Sequence, residues 1–256
     1  MDLGARLEGR RILITGASSG LGAHFARLCA RNGARVAIAA RRADRLQALV
    51  GELRESGAQD AISLPLDVSD EASVKACIGD AVEALGGLDT LVNNAGMASQ
   101  GLSIDHSTAD FDAVLSVNLR GVWLMATEAG RHWRETGTPG AIVNIASVLG
   151  LRVATGVAPY AISKAGVVQL TKAMALELAR FNIRVNAIAP GYFSTEINEG
   201  FFETAQGQAM LKRIPMRRTG EMEELDAPFL LLASDASSFM TGAIVPVDGG
   251  HLVNSL

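Results

Sequence analysis

Short apolar runs alternate along the chain with longer stretches of helical pattern. Most of the runs are continuous rather than alternating, which is typical of strands buried on both faces of a parallel sheet. The pattern predicts strands at Arg11–Thr15, Arg35–Ala40, Ile62–Leu66, Asp89–Asn93, Ala141–Ala146, Arg184–Ala189 and Ile244–Val247. It predicts helices near Leu21–Asn32, Asp44–Ser56, Glu71–Leu85, Ala109–Glu135, Tyr160–Phe181 and Glu221–Ala233.

This alternation of strand and helix predicts an α/β fold, an open doubly wound sheet with helices on both faces. In such sheets a ligand binds outside the carboxyl ends of the strands. One region, Gly191 to Gly220, has no strand pattern and mixes aromatic, polar and basic residues. Long irregular segments in compact domains are usually functional. We therefore expect a substrate lid at about 191–220 that carries short helices, the alternative being a surface excursion with no role.

Composition narrows the class of protein. The chain has 256 residues and a formal net charge of −4, which suits one domain spanning 1–256 and argues against a nucleic-acid binder. No apolar run is long enough to cross a bilayer, and Met1 to Arg11 holds no signal-peptide core. Two cysteines cannot build a disulfide framework. The four histidines have no metal-ligand spacing, so we expect the histidines at the surface or on helices. A cytoplasmic protein with no membrane or metal site is expected.

A glycine-rich turn follows the first predicted strand. It runs Thr15-Gly16-Ala17-Ser18-Ser19-Gly20-Leu21-Gly22 and leads into a helix. Glycines there permit a tight turn and close approach of the backbone to phosphate. The helix start adds free N–H groups and the positive end of a dipole, which suit a pyrophosphate. A purely structural turn is the alternative, since the chain contains 27 glycines.

The end of the second strand bears on the choice of cofactor. An acidic residue there would bind the ribose hydroxyls of NAD, but the sequence offers Ala40, Arg41 and Arg42. Guanidinium groups suit a 2′-phosphate, so NADP is favoured and NAD is possible. Alternatively, both arginines are merely solvated charges. Asp67, followed by Val68, closes the third strand, and its carboxylate could accept a hydrogen bond from the adenine amino group.

Tyr160 and Lys164 lie one helical turn apart on one predicted face. A phenol with its usual pKa of about 10 is a poor base at neutral pH. A nearby ammonium lowers that pKa, so a tuned tyrosine could exchange a proton with a carbonyl or alcohol oxygen. A helix-surface contact is the alternative. Ser147 follows a predicted strand and could hold the substrate oxygen, whereas Asn118, within a helical stretch, carries little weight alone.

Together these motifs resemble the short-chain dehydrogenase/reductase family, in the order and spacing of its short single-domain branch. The likeness spans about Leu7 to Val253. It is carried by the glycine turn, Asn93-Asn94-Ala95-Gly96, Asn118, Ser147 and Tyr160-x-x-x-Lys164, with Pro190-Gly191 plus Thr195 and Val247-Asp248-Gly249-Gly250 as further matches.

The resemblance implies a Rossmann-type sheet of seven parallel strands and a nicotinamide cofactor. It implies that Tyr160 is the proton donor or acceptor and that Lys164 lowers its pKa and binds the nicotinamide ribose. By the same resemblance Ser147 positions the substrate oxygen, and Asn118 holds a water that links Lys164 to solvent.

The cofactor site predicted from the motifs and the resemblance extends along the carboxyl ends of several strands. The glycine-turn backbone would receive the pyrophosphate, Asn94 to Gly96 would border the adenine ribose, and Thr195 would contact the carboxamide. The full set is Gly16, Ser18, Ser19, Gly20, Leu21, Gly22, Arg41, Arg42, Asp67, Val68, Asn94, Ala95, Gly96, Tyr160, Lys164, Pro190, Gly191, Phe193 and Thr195.

Substrate and partners are less sharply defined. The residues expected around the substrate are mainly apolar, which suits a hydrophobic ketone or secondary alcohol. They are Met97, Val148, Leu149, Gly150, Ala154, Val157, Tyr192, Phe193, Phe201, Phe202 and Met210. The resemblance implies a homotetramer formed through the helices Ala109–Glu135 and Tyr160–Phe181, although those apolar faces could serve the monomer alone.

Two other functions stay open. The chain is similar to 3-oxoacyl-[acyl-carrier-protein] reductases, which offer basic residues to an acidic carrier protein. Arg131, Arg134 and Arg180 lie near the corresponding helix ends, but Phe181 falls where a basic residue is expected, so we rank a thioester substrate second. A non-catalytic NADP-binding sensor is the remote alternative, because such relatives usually lack the Tyr or the Lys, and this chain has both.

Overall fold

A computed structural model describes residues 3–193 and 200–253 of the chain. Seven strands form a single sheet in the order β3-β2-β1-β4-β5-β6-β7, and every neighbouring pair is parallel. The predicted doubly wound, seven-stranded sheet is therefore confirmed. The strands are β1 Arg11–Thr15, β2 Arg35–Ala40, β3 Asp60–Pro65, β4 Thr90–Asn93, β5 Gly140–Ile145, β6 Ile183–Pro190 and β7 Ile244–Val247.

Helices cover both faces of the sheet. The α-helices are α1 Gly20–Arg31, α2 Ala43–Glu55, α3 Glu71–Leu85, α4 Thr108–Leu115, α5 Gly121–Thr136, α6 Ala158–Leu178, α7 Ala205–Leu211 and α8 Asp226–Ala233. On one face α1, α2 and α8 share a core in which the Phe25 and Phe229 rings stack with centroids 4.3 Å apart. On the other face α3, α5 and α6 bury Cys77, Trp133 and Met174. Burial of these apolar surfaces is the main force that holds the layers together.

Strand order places a ligand crevice beside β1. Strand β1 pairs with β2 on one side and β4 on the other, so the chain changes direction along the sheet at this point. Doubly wound sheets bind ligands at such a switch point, outside the carboxyl ends of the strands. The loops after β1, β2, β4, β5 and β6 all open on this edge.

The predicted helix over Ala109–Glu135 is wrong in one respect. Between α4 and α5 the chain forms a turn of π-helix over Ser116–Arg120. A π-turn inserts an extra residue into the helical repeat and commonly occurs at functional sites. Here it contains Asn118, whose side chain is fully buried. Two other predicted helices end or begin in short 3₁₀ turns, Ala179–Phe181 and Met222–Leu225.

The segment after β6 has the short helices expected for it. A 3₁₀ turn covers Phe201–Glu203, and α7 follows at Ala205–Leu211 with the Thr204 hydroxyl accepting a hydrogen bond from Gly207 N at 3.1 Å. Residues 194–199, which include the predicted cofactor contact Thr195, lie outside the described residues. Among the described helices, none combines the length and apolar character required to cross a membrane.

Candidate active site

A cleft of about 690 Å³ runs along the carboxyl edge of the sheet, from the glycine turn to α6. Of the residues expected around the substrate, Gly150, Ala154, Phe202 and Met210 do not line this cleft. Of the predicted catalytic and cofactor-binding residues that the structure describes, all but Gly22 and Asn118 line it. Gly22 packs against Asn94, and Asn118 is hydrogen-bonded to Met97, both of which line the cleft. The structure thus brings together, in one cavity of a size usual for a ligand site, residues that are up to 177 positions apart from Gly16 to Phe193.

The glycines of the turn allow close approach of neighbouring chain segments and positive φ angles. Gly16 has φ +66°, and a Cβ there would lie 2.6 Å from Ala95 Cα, so only glycine fits between the two chain segments. A Cβ on Gly22 would lie 2.4 Å from Asn94 Nδ2, which makes Gly22 a packing residue of the turn. Gly20 has φ +56° but faces open space, at the first residue of α1. The turn therefore leaves room at the helix N-terminus for a ligand.

Side chains of β1 and β4 fix this turn in place. The buried Thr15 hydroxyl accepts hydrogen bonds from Asn94 N at 3.0 Å and Ala95 N at 3.1 Å. In return, Asn94 Nδ2 donates to Thr15 O and Gly16 O, at 3.0 and 3.1 Å. Because every one of these groups has a partner, the loop conformation is strongly determined. From the motif alone Thr15 has no role of its own, and only the fold reveals these contacts.

The end of β2 brings positive charge to the turn. Arg42 donates from Nη2 to the hydroxyls of Ser18 at 2.8 Å and Ser19 at 3.0 Å. Both Arg41 and Arg42 are exposed and line the cleft. Beside them, Asp67 Oδ1 accepts hydrogen bonds from the Ser69 hydroxyl and N–H, which lower the pKa of Asp67, as does the charge of Arg41. The site therefore carries two guanidinium groups and one ionised carboxylate at this end.

Ser147 lies two residues after the end of β5 and is 7% exposed. Its hydroxyl accepts a hydrogen bond from Leu149 N at 3.1 Å and also interacts with Tyr160. Tyr160 stands in the first turn of α6, after Pro159, a residue suited to a helix start. Burial raises the pKa of Tyr160, and the hydrogen bond with Ser147 lowers it only in part. The phenol is therefore protonated at neutral pH in this structure.

Lys164 is almost completely buried, with 4% of its surface exposed. Its ammonium donates to Ile145 O at 2.8 Å and lies 5.6 Å from the centre of the Tyr160 ring. Burial lowers the pKa of Lys164 to about 8. The net effect in this structure is a raised pKa for Tyr160, because burial outweighs the groups that lower it. That Lys164 lowers the pKa of Tyr160 stays a prediction.

Asn118 joins the loop after β4 to α6. Its Oδ1 accepts from Met97 N at 2.8 Å, while Nδ2 donates to Met97 O at 2.8 Å and to the Ser163 hydroxyl at 3.0 Å. Ser163 in turn donates to Tyr160 O at 2.7 Å. A Cβ built on Gly96 would meet Asn118 Oδ1 at 3.5 Å and Lys164 Nζ at 3.7 Å, so both side chains flank Gly96. Asn118 therefore holds the loop after β4 beside Lys164.

The structure also brings residues to this region that sequence reasoning did not assign to it. His251 lies in the 3₁₀ turn His251–Val253 and is buried, with its ring 5.4 Å from that of Tyr192 in an edge-on arrangement. Arg152 donates from Nη1 to His251 O. No short motif links these positions, since they lie 99 residues apart, and only the fold reveals their proximity.

Comparison with known proteins places the chain in a family. A family model described as enoyl-(acyl carrier protein) reductase matches residues 16–251. The 3-oxoacyl-[acyl-carrier-protein] reductase of Thermotoga maritima is 41% identical over 249 residues, covering 97% of this chain and all of that protein. Among solved structures, a short-chain type dehydrogenase/reductase from Mycobacterium marinum is 40% identical with a TM-score of 0.91, covering 96% of this chain and 97% of the other.

A second solved structure matches over the full length of both chains. It is a gluconate 5-dehydrogenase from Burkholderia cenocepacia in complex with NADP and tartrate, 37% identical with a TM-score of 0.93 and 100% coverage of each. With the Tyr160, Lys164 and Ser147 arrangement in a doubly wound sheet, these matches identify an oxidoreductase of CH–OH groups. The chain belongs to the short-chain dehydrogenase/reductase family.

Proposed function

We propose that the protein interconverts a ketone and a secondary alcohol with NADP(H), and that Tyr160 transfers the proton. One observation carries this proposal. A tyrosine, a serine and a buried lysine meet at the end of β5, in the same cleft as an open glycine turn with two arginines at its rim. Proton transfer and nucleotide binding can therefore occur within one cavity.

The residues present fit a nicotinamide dinucleotide. The space in front of Gly20 at the start of α1 suits a pyrophosphate, since free N–H groups and the helix dipole favour an anion there. Asp67 and Val68 would border the adenine, Asn94 to Gly96 its ribose, Lys164 the nicotinamide ribose, and Pro190 to Phe193 the nicotinamide side. When bound, the nicotinamide supplies or accepts the hydride.

The protonated phenol suits Tyr160 to act as an acid in carbonyl reduction near neutral pH. Because burial keeps the phenol protonated, Tyr160 can donate to a carbonyl oxygen that receives negative charge during hydride transfer. The Ser147 hydroxyl, next to Tyr160, can donate a second hydrogen bond to that oxygen. Lys164, with a pKa of about 8, is largely charged at pH 7 and stabilises the tyrosinate that remains.

The preference for NADP rests on the end of β2. Arg42 already binds the hydroxyls of Ser18 and Ser19, and Arg41 lies beside it at the cleft rim. A 2′-phosphate on the adenine ribose would find two cations and two hydroxyls there. The similar gluconate 5-dehydrogenase was solved with NADP, which supports the same choice.

We further propose a carbonyl substrate with an apolar portion. Met97, Val148, Leu149 and Val157 line the cleft near Tyr160 and offer mainly hydrocarbon surface. The segment 191–220 would close over the substrate as a lid, with Phe202 already packed edge-on against Tyr192 at 6.4 Å.

The test is NADPH consumption by purified protein across a panel of ketones that includes a β-keto thioester, with Tyr160→Phe as the control. We expect turnover of an apolar ketone that is lost in Tyr160→Phe while NADPH binding persists. Tight NADPH binding without turnover of any ketone would instead favour a non-catalytic sensor.

A 3-oxoacyl thioester is the second candidate substrate. It is favoured by the 41% identity to a 3-oxoacyl-[acyl-carrier-protein] reductase. The exposed Arg131, Arg134 and Arg180 would contact the acidic carrier protein. Activity confined to the thioester, and weakened by rising ionic strength, would select this candidate over a free ketone.

We also propose a homotetramer formed through α4, α5 and α6. A shallow, largely apolar groove of about 460 Å³ lies between these helices, lined by Leu115, Leu119, Trp123 and Leu170 together with a few polar residues. Trp123 is 51% exposed, an unusual state for so large an apolar side chain. Light scattering should report a tetramer for the wild type and a smaller species for Trp123→Glu.

A further inference from the structure

Three buried polar side chains are hydrogen-bonded in a row across the core, from β4 through β5 to α6. Asn93 Nδ2 donates to Asn144 Oδ1 at 3.0 Å, and Asn144 Nδ2 donates to the Thr171 hydroxyl at 2.9 Å. Thr171 in turn donates to Val167 O at 2.8 Å. At most 2% of the surface of Asn93, Asn144 or Thr171 is exposed. This polar ladder of Asn93, Asn144 and Thr171 therefore joins two strands and one helix away from solvent.

The polar ladder lies next to the contact that holds Lys164. Asn144 immediately precedes Ile145, whose main-chain oxygen accepts the hydrogen bond from Lys164 Nζ at 2.8 Å. Thr171 follows Lys164 by seven residues on α6, which is about two turns, so both side chains lie on the same face of the helix. Helix α6 is thus hydrogen-bonded to β5 at two points, through Lys164 and through Thr171.

Stability alone does not explain polar residues at these positions. An internal hydrogen bond contributes little net free energy, because the same groups bond to water in the unfolded chain. Replacing both partners of a buried pair by apolar groups of the same shape can be neutral or even stabilising. Apolar contact is non-directional, whereas a hydrogen bond requires a particular distance and angle. The ladder therefore adds to the apolar core a contact that fixes the position of α6 along β5.

Helix α6 is closely packed around Lys164. A Cβ on Gly150 would lie 2.6 Å from Lys164 O, and a Cβ on Gly166 would lie 2.7 Å from Leu119 Cδ2. Closely packed interiors transmit a displacement, because they contain little free space to absorb it. A shift of α6 against β5 would therefore displace Tyr160 and Lys164, both of which α6 carries.

No ion pair holds the ammonium of Lys164 within the part of the chain that the structure describes. The titratable side chain beside it is Tyr160, with its ring centre 5.6 Å from Nζ. The other groups that it faces are uncharged: Gly96 and Asn118 on one side and Ile145 O on β5. The location of the ammonium therefore depends on one hydrogen bond and on the placement of α6.

We propose that Asn144 and Thr171 are positioning residues for Lys164. Their hydrogen bond fixes α6 on β5 where the ammonium meets its main-chain acceptor and lies beside Tyr160. Asn93 orients the Asn144 amide, because it donates to Oδ1 and so directs Nδ2 toward Thr171. The inference rests on the proposed function, in which Lys164 stabilises the tyrosinate. Asn144 and Thr171 do not line the cleft, so they act on the reaction only through α6.

The test compares Thr171→Val with Thr171→Ser and with the control Thr90→Val. Valine has the shape of threonine without its hydroxyl, so Thr171→Val removes the acceptor of Asn144 Nδ2. Thr90 is equally buried, and its hydroxyl accepts from Arg10 Nε and donates to Ala233 O at the start of β4, the end away from the cleft. For the best ketone of the panel, we expect kcat to fall about 10- to 100-fold in Thr171→Val, as for a small misplacement of a reacting group. Thr171→Ser should restore kcat, and Thr90→Val should leave it unchanged.

The pKa of Lys164 gives a readout that does not depend on turnover. It is measured by NMR on protein labelled with carbon-13 at lysine Cε. The chain contains four lysines, and the signal that disappears in Lys164→Met belongs to Lys164. In the wild type, burial lowers this pKa to about 8. In Thr171→Val it should rise toward the ordinary value of 10.5, because the displaced ammonium gains contact with water, and in Thr90→Val it should not change.

Asn144→Ala tests the same contact from β5 if Thr171→Val does not fold. It removes the donor to Thr171, leaves the Thr171 bond to Val167 O, and should change kcat and the pKa of Lys164 in the same directions. Thermal melting confirms folding of each variant. A folded variant of Thr171→Val that keeps the wild-type kcat or the wild-type pKa of Lys164 would overturn the inference, as would equal changes in Thr90→Val. A shifted pKa in Thr171→Val, together with a wild type that reduces no ketone, would instead contradict the proposed reaction.

Discussion

The two ends of the cleft are built in opposite ways. At the cofactor end, the backbone of Gly16 and Gly20 forms the contact surface, and the charged side chains Arg41 and Arg42 are exposed at the rim. At the catalytic end, polar side chains such as Ser147 and Lys164 are withdrawn from water. Under the proposed function, space and backbone conformation would serve nucleotide binding, whereas burial would set the protonation states of the reacting groups. Substitutions at either end of the cleft test that contrast.

Apart from Tyr160→Phe, the largest effect is expected at the catalytic end, from Ser147→Ala. Loss of a hydrogen-bond donor at the reacting oxygen should reduce kcat about 100- to 1000-fold. Because the Ser147 hydroxyl lowers the pKa of Tyr160, its removal should raise that pKa further. Alcohol oxidation needs the tyrosinate, so its pH–rate profile should move to higher pH.

Ser107→Ala is the control for that change. Ser107 caps α4 by accepting from Asp110 N, so its loss costs about 1 kcal/mol of stability without touching the cleft. An oxidation profile that stays in place in Ser147→Ala would mean that Ser147 has no influence on Tyr160.

At the cofactor end, Gly16→Ala and Gly20→Ala form a matched pair. Both residues have positive φ, which costs an alanine about 1 kcal/mol. At Gly16 the new Cβ would also meet Ala95 Cα at 2.6 Å, which adds about 2 kcal/mol of overpacking. Urea unfolding should therefore show a loss of about 3 kcal/mol for Gly16→Ala and about 1 kcal/mol for Gly20→Ala. Equal losses would show that close approach to Ala95 does not constrain the turn.

A smaller effect is expected from Arg41→Asp. The change puts a negative charge beside the proposed 2′-phosphate position and near Asp67. NADPH binding should weaken about 10- to 100-fold, as for the loss of a charge-assisted contact, while NADH binding changes far less. Fluorescence titration with both nucleotides measures this, and equal weakening of the two would reject the assignment of Arg41 to the 2′-phosphate.

The smallest effect concerns the stability contributed by Lys164. Its pKa is lowered to about 8 in the folded chain, against 10.5 as its ordinary value. Between these two pH values the unfolded chain binds more protons than the folded chain at this residue, so stability should rise with pH. The slope should be about 1 kcal/mol per pH unit at most.

The difference between wild type and Lys164→Met isolates this contribution. Cys77, whose pKa burial raises to about 12, makes stability fall with pH above about 9, but it does so equally in both proteins. From pH 7.5 to 9.5, urea unfolding should show the free energy of unfolding of the wild type rising relative to that of Lys164→Met. Parallel curves would mean that Lys164 is not desolvated in the folded protein.

How far the sequence predicts the structure differs between the two ends of the cleft. The continuous apolar runs predict all seven strands to within two residues at each end. Strands buried on both faces need apolar residues at successive positions, so they are easy to recognise in the sequence. The glycine turn was equally clear, since positive φ and close approach leave few alternatives to glycine.

The catalytic end was less predictable because it depends on burial. The sequence pattern predicts Tyr160 and Lys164 but not the net rise in the pKa of Tyr160, since desolvation follows only from the packed structure. The π-turn around Asn118 interrupts a helix that the periodicity predicts to be continuous. The contact between Arg152 and His251 joins distant segments and leaves no local pattern. A cytoplasmic location, a single domain over 1–256 and the role of Thr195 stay predictions.

The most direct test of hydride transfer assisted by Tyr160 uses NADPH that carries deuterium at the transferring position of the nicotinamide. In a single turnover with the best ketone of the panel, we expect deuterium on the carbinol carbon of the product. We also expect Tyr160→Phe to slow the reaction about 100- to 10,000-fold while it still binds NADPH. An alcohol without deuterium, or a Tyr160→Phe variant as fast as the wild type, would contradict the proposed mechanism.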